Sequence, residues 1–184
     1  MRNTSKLIII TGPSGVGKGT VVRDLLNRDN NLWLSVSATT RGARIGEIEG
    51  KNYYFLSKNK FQDMIKKGLF LEWAEFAGNY YGTPIDSINK KLNQGLQILL
   101  EIEVAGASQV RKKFPNCLSI FLLPPNMEEL ERRIRGRETE SEESILKRLK
   151  RAEYEIQSSQ DFDFVITNIK LEKTVREIFQ IIQN

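Results

Sequence analysis

Histidine is absent from all 184 residues of the chain. That removes imidazole general bases, Ser-His-Asp triads and the commonest zinc ligand together. Cysteine is nearly absent: Cys117 is the single thiol, so no intrachain disulfide forms and a cytoplasmic, reducing setting is expected. Between Pro115-Asn116 and the apolar stretch Leu118 to Leu123, it reads as a small buried hydrophobe rather than a nucleophile. Long hydrophobic runs are lacking too. Leu7 to Ile10 is too short for the apolar region of a signal peptide and leads straight into a glycine-rich turn. No segment approaches the length of a membrane span, so neither export nor a membrane is expected.

Charge and composition narrow the field less. A net charge of +5 and a pI near 9.3 suit any polyanion. Lys and Arg nevertheless alternate with Asp and Glu along most of the chain, without the dense basic run of a nucleic-acid binder, so no nucleic-acid partner is expected. A hydrophobic content of 40% in 184 residues is enough for the core of a single domain. Internal repeats and low-complexity segments are not found.

What is present is a rhythm of strands and helices. Residues 6–11 are apolar and β-branched, Gly12 to Gly15 break the run, and Val21, Val22, Leu25 and Leu26 resume at helical spacing. The alternation repeats: strand 97–102 then helix 106–114, and strand 118–123 then a helix opened by Asn126 and Glu129 as a capping box. Strand 164–167 and a terminal helix carrying Val175, Ile178 and Ile182 close the series. This predicts an α/β fold, a mostly parallel sheet covered by helices on both faces.

Two stretches break the rhythm. Residues 35–84 are rich in aromatics and glycine, with strand-like segments at 53–56 and 69–76 around a short helical piece, and predict an inserted β-containing subdomain. Residues 136–144 are polar and acidic, flanked by Arg133, Arg137 and Arg148, and predict a flap joining two helices. The helix after it carries Ile145, Leu149, Ala152 and Ile156 on one side.

Gly12-Pro13-Ser14-Gly15-Val16-Gly17-Lys18 matches G-x-x-x-x-G-K between a predicted strand and a predicted helix. Its glycines let successive N–H groups face one anion, the helix dipole adds partial positive charge, and Lys18 brings a full charge to β- and γ-phosphates. The bland alternative is an ordinary glycine-rich turn. One position departs from the common motif: Gly19 stands where Ser or Thr binds Mg²⁺, and the hydroxyl comes one residue later, on Thr20. This G-K-G-T resembles several nucleoside monophosphate kinases, a likeness implying Mg²⁺ held mostly through water and phosphate oxygens.

A second anion site is written in Thr39-Thr40-Arg41-Gly42-Ala43-Arg44, followed by Glu47, Tyr53 and Tyr54. Guanidinium forks grip phosphate oxygens, phenols add neutral donors, and Glu47 can hold an arginine in place. A solvated charged loop is the alternative. Taken together, T-T-R-x-x-R-x-x-E-x-x-G-x-x-Y resembles the signature of guanylate kinases. The similarity extends through Leu71-Glu72-Trp73, Gly78-Asn79-Tyr80-Tyr81-Gly82-Thr83 and Gly136-Arg137-Glu138-Thr139, and so over almost the whole chain.

The resemblance implies transfer of the γ-phosphoryl of ATP to GMP, with dGMP also accepted, within purine metabolism. It implies a P-loop core of residues 1–36 and 88–184, a GMP-binding subdomain over about 37–87 and a lid over about 133–148. By the same likeness Lys18, Arg41, Arg137 and Arg148 are the catalytic residues. ATP would be met by Gly12, Pro13, Ser14, Gly15, Val16, Gly17, Lys18, Gly19, Thr20, Arg133, Arg137 and, near the adenine, Asn168. GMP would be met by Ser37, Arg41, Arg44, Glu47, Tyr53, Glu72, Tyr81, Thr83 and Glu103. Glu72 would accept from the guanine N1–H and 2-amino group; the alternative is that it pairs with a subdomain arginine. Leu100-Glu101-Ile102-Glu103 departs from the family's Asp-Ile-Asp. Thr20 and Glu101 are the candidate protein partners of Mg²⁺ and its waters, and Glu103 is the candidate near the guanine. Two rival readings remain at this stage: a kinase of ribose bisphosphates, and a protein-binding scaffold of similar fold, which would need no working phosphate loop.

Overall fold

The computed structural model describes residues 6–76, 78–136 and 141–184. In chain order, β1 (Leu7–Thr11) leads to α1 (Lys18–Arg28), β2 (Leu32–Leu34), β3 (Ala38–Thr39), β4 (Tyr54–Phe55), α2 (Lys58–Lys66), β5 (Phe70–Phe76) and β6 (Asn79–Pro84). Then follow α3 (Ile85–Asn93), β7 (Gln97–Glu101), α4 (Val104–Lys113), β8 (Leu118–Leu123), α5 (Met127–Arg135), α6 (Glu142–Gln157), β9 (Phe164–Thr167) and α7 (Leu171–Gln183).

The main sheet has the order β2-β7-β1-β8-β9, and all its pairings are parallel. Its central strand is apolar on both faces because both faces are covered. Ile8 and Ile10 pack with Val21, Val22 and Leu25 of α1 and Val175, Ile178 and Ile182 of α7. Leu7 and Ile9 pack on the other face with Ile88 of α3, Ala107 and Val110 of α4, Phe121 and Cys117. The two-residue period of a strand thus splits one apolar run between two cores. Because the strands are parallel, β1, β2 and β7 all end at the same edge, where ligands meet such sheets.

A second sheet, β4-β3-β6-β5, lies within residues 38–84 and is antiparallel apart from the β3–β4 pair. Its small core is aromatic: Phe61 stacks on Phe70 with centroids 4.3 Å apart and on Tyr80 at 5.4 Å. The pair α5–α6 has its own cluster of Leu130, Ile134, Ile145 and Ala152.

Several expectations need adjustment. The predicted strand 53–56 shrinks to Tyr54–Phe55, and the helix expected from 106 starts at Val104. The capping box is half formed. Asn126 Oδ1 accepts from Glu129 N at 2.8 Å, but the Glu129 carboxylate turns to Arg132 and Arg133 because two guanidiniums compete better than one backbone N–H. The fork lowers the Glu129 pKa to about 2. No helix among the described residues is long and apolar enough to cross a membrane.

Candidate active site

The loop after β1 turns back on itself through left-handed glycines and enters α1 at Lys18. Gly17, at φ 101°, is the cap of that helix, and a Cβ there would lie 2.8 Å from Asn168 Nδ2. No other residue fits both demands. Lys18 Nζ curls over the turn and donates to Gly12 O at 2.6 Å and Pro13 O at 3.3 Å. These carbonyls hold the ammonium over the cradle.

The loop is braced from outside. Asn168 Nδ2 donates to Val16 O at 2.8 Å, and Arg133 spans the same carbonyl at 3.2 Å and Asn168 O at 3.1 Å. A further Arg133 donor is engaged by Glu129 at 2.8 Å. Both residues therefore stand behind the loop and fix its shape. Arg148 arrives from the other side: its Nη2 donates to Ser14 Oγ at 2.6 Å, bringing α6 over the loop.

Glu101 ends β7 beside α1. A Cβ on Gly19 would lie 3.3 Å from Glu101 Oε1. The two departures from the common pattern therefore meet: the longer carboxylate lies where a side chain at position 19 would project. Burial raises the Glu101 pKa, Lys18 opposes the rise and Glu103 adds to it. Thr20 is exposed on α1 and lies outside the cleft lining.

On the second sheet, Glu47 grips Arg41 with both oxygens, Nη1 to Oε2 at 3.0 Å and Nη2 to Oε1 at 2.8 Å, and accepts from Arg44 N at 2.7 Å. The fork holds the Glu47 carboxyl below its ordinary range and raises the Arg41 guanidinium. Arg41 lies 5.5 Å from the centre of the Tyr53 ring, and Tyr53 meets Tyr81 edge-on at 6.2 Å. A guanidinium held by Glu47 and two phenols thus lie together in one wall of the cleft.

Glu72 is 5% exposed and its cross-strand neighbour Thr83 is fully buried. Thr83 Oγ1 donates to Glu72 Oε1 at 2.7 Å. No described residue forms an ion pair with Glu72, so the alternative of a subdomain arginine partner has no support here. Burial pushes its pKa up to about 7, against the Thr83 hydrogen bond and the charge of Lys113 and with the help of Glu103.

A single cleft of about 1310 Å³ joins these parts. Ser14, Lys18, Ser37, Arg41, Arg44, Tyr53, Glu72, Tyr81, Glu101, Glu103 and Arg148 line it. Thr83 stands behind Glu72, and Glu47 behind Arg41. Arg137 lies outside the described residues. The cleft therefore brings together the glycine-rich loop with Lys18, the group of Arg41, Arg44, Tyr53 and Tyr81, and the buried Glu72 carboxylate.

That arrangement matches one known family over nearly the entire chain: the guanylate kinase family model covers residues 4–184. The chain belongs to the guanylate kinase family. It is 62% identical over 183 residues to a guanylate kinase of Prochlorococcus marinus, with 100% of both chains covered. It is 54% identical to one of Trichormus variabilis, covering 96% of this chain and 88% of the relative. The crystal structure of guanylate kinase from Anaplasma phagocytophilum superposes with a TM-score of 0.82 at 34% identity, over 100% of this chain and 87% of that one. A shikimate kinase from Bacteroides thetaiotaomicron, 12% identical with a TM-score of 0.52, shares the fold alone.

Among the residues that line the cleft without belonging to any of the motifs are Arg151 and Ser35. Arg151 lines it, sits 4.5 Å over the Phe76 ring, pairs with Glu155 at 2.8 Å and reaches within 3.8 Å of Glu103. Its spacing of three from Arg148 on one helix was the signal available. Ser35 is 7% exposed, lines the cleft, and its Oγ has no hydrogen-bond partner among the described residues. No local pattern distinguishes it from Ser37.

Proposed function

We propose that the chain transfers the γ-phosphoryl group of ATP to GMP, giving ADP and GDP, with dGMP as an alternative acceptor. The observation that carries the reading is one cleft with Lys18 and its loop facing Arg41, Arg44 and two tyrosines, and with Glu72 buried beside the acceptor position. The bond between the γ-phosphorus and the β,γ-bridging oxygen breaks as an oxygen of the GMP phosphate bonds to that phosphorus. The attacking oxygen is already anionic, so no general base is required, and a chain without histidine suffices.

The protein's work is positioning and charge. Lys18 and the loop amides hold the donor phosphates, and Arg41 and Arg44 aim the acceptor. Arg148, and Arg137 with it, add positive charge from the lid as charge develops on the transferring group. Arg133 and Asn168 act by bracing the loop. Glu72 accepts from N1–H and the 2-amino group of guanine, while Ser37, Thr83 and Glu103 complete the base side.

Mg²⁺ fits this site as a mostly hydrated ion. Among the described residues no cluster of three acidic, His or Cys side chains offers a protein cage, whereas Glu101 offers one half-buried carboxylate beside the loop. When bound, it neutralises phosphate charge. A cytoplasmic setting accords with the single buried thiol. Coupled ADP release measured with GMP, AMP, CMP and UMP tests the whole reading. GMP is expected to exceed the others by several orders of magnitude, and equal rates would refute it.

A further inference from the structure

Helix α4 belongs to the main sheet's layer, yet it reaches the acceptor side of the cleft. Residues 106, 109 and 113 are spaced to lie along one side of it. Gln109 Nε2 donates to Trp73 O at 2.7 Å, and its Oε1 accepts from Trp73 N at 3.2 Å. Lys113 Nζ donates to Leu71 O at 2.7 Å and to Phe70 O at 3.4 Å. Strand β5 is the edge of its sheet. Its outer backbone groups are met by side chains of a helix where another strand would otherwise pair.

The same edge carries Glu72. Pairing between β5 and β6 shifts register between Phe70 and Glu72, a bulge that buries three successive residues, Phe70, Leu71 and Glu72, at 3%, 0% and 5% exposure. Bulges re-aim side chains in this way. One carboxylate oxygen of Glu72 then meets Thr83, and the other faces α4 at Gly106. A Cβ on Gly106 would collide with Glu72 Oε2 and lie 3.0 Å from its Cδ.

Nothing about the backbone asks for glycine here. Gly106 is not among the glycines with positive φ, and it sits within a helix, where glycine is disfavoured relative to alanine. The carboxylate is the contact that excludes a side chain.

We propose that Gly106 is a specificity-determining positioning residue: its missing side chain leaves the slot in α4 that holds the Glu72 carboxylate toward the acceptor base. Gln109 and Lys113 keep β5 in register with that slot. The proposal rests on the guanine-reading role of Glu72 given above. A side chain at position 106 forces the carboxylate out of its place between Thr83 and the helix. A paired hydrogen bond to a base edge does not survive a displacement of about 1 Å.

The test is a double-mutant cycle with thermal melts on each variant. Gly106→Ala is expected to lower kcat/KM for GMP by about 100-fold and to leave the low AMP rate within about threefold, so the GMP-to-AMP ratio collapses. Glu72→Asp withdraws the carboxylate by one methylene, about 1.5 Å. In that background Gly106→Ala is expected to cost less than about threefold. Should Gly106→Ala melt lower than the parent, Glu72→Asp restores the melting temperature, the same coupling read in stability. Gln109→Ala, which leaves the slot open, raises KM for GMP several-fold and spares kcat. An equal loss from Gly106→Ala in both backgrounds overturns the slot. A coupled loss that strikes GMP and AMP alike overturns the base-reading role, and the specificity claim with it.

Discussion

Glu72→Gln separates what the carboxylate does for GMP from what it costs the fold. An unfolded glutamate releases its proton near the ordinary 4.5, whereas burial holds the folded Glu72 protonated up to about 7. Between those values the folded state keeps a proton that the unfolded state has lost, so stability falls as pH rises through the window. At about 1.36 kcal/mol per pH unit, the empty protein above pH 7 carries a penalty on the order of 3 kcal/mol. Glutamine has the same size without the charge and removes that penalty. For a domain of this size 1 kcal/mol moves the melting temperature by about 2–4 °C. Glu72→Gln should therefore melt several degrees above the parent at pH 8, and the advantage should vanish near pH 5.

The activity moves the opposite way. Replacing one acceptor with a donor removes a charge-assisted pair to guanine, and kcat/KM for GMP should fall by about two to three orders of magnitude while the AMP rate holds level or rises. GMP affinity of the parent should weaken by up to about tenfold for each pH unit below 7, because only the ionised carboxylate accepts two hydrogen bonds. The phosphate of GMP also titrates near pH 6, and Glu72→Gln isolates that contribution, since its remaining pH dependence belongs to the nucleotide. Scanning calorimetry from pH 5 to 8 and titration calorimetry with GMP give both curves. A variant that melts lower at pH 8 and loses GMP and AMP rates together would falsify the reasoning and make Glu72 a structural anchor.

Lys18→Ala should lower kcat by about three orders of magnitude or more with a melting temperature within about 2 °C, since its folded-state bonds are only to the carbonyls of Gly12 and Pro13; retained turnover in the coupled assay removes this loop from catalysis. Arg148→Ala should depress kcat by about 100-fold and leave GMP binding without ATP within about twofold, because its partner is Ser14 on the donor side. An equal loss of GMP affinity in that binary complex contradicts the assignment. Gly19→Ala brings a Cβ to 3.3 Å from Glu101 Oε1 without adding a hydroxyl and should raise the Mg²⁺ concentration needed for tight ATP binding several-fold, with relief when combined with Glu101→Asp. Titration calorimetry of ATP at fixed Mg²⁺ levels checks it, and an unchanged Mg²⁺ dependence separates Glu101 from the metal.

Most of the main sheet was legible because its signals are local. β1, β7 and β8 are apolar runs bounded by turns, and α7 shows its buried stripe as Val175, Ile178 and Ile182. What escaped lacked a local signal. β2 has three residues, too few for a period, and α3 buries only Ile88. Glu155 is 8% exposed on α6 although a charged residue in a helix reads as surface; Arg151, one turn earlier, is what makes its burial tolerable. The phosphate loop and the arginine loop were readable as contiguous motifs, whereas the bracing of Val16 by Arg133 and Asn168 joins residues more than a hundred positions apart and needed the fold.

The least legible features come in pairs, and the pairs follow one rule. Gly19 in α1 faces Glu101, and Gly106 in α4 faces Glu72. In each case a glycine within the first turn of a helix leaves room for a carboxylate from a neighbouring strand. The site gives each acid the positive end of a helix dipole, which favours its charged form. Burial nevertheless wins in both, since both pKa values are raised. An acid held in that balance gains from one more favourable partner, and on the function proposed above the cleft would admit one to each: paired donors of a base edge at Glu72, and a hydrated cation at Glu101. A glycine alone reads as a weak helix position and a glutamate alone as surface charge, so the meaning of each residue exists only in the pair.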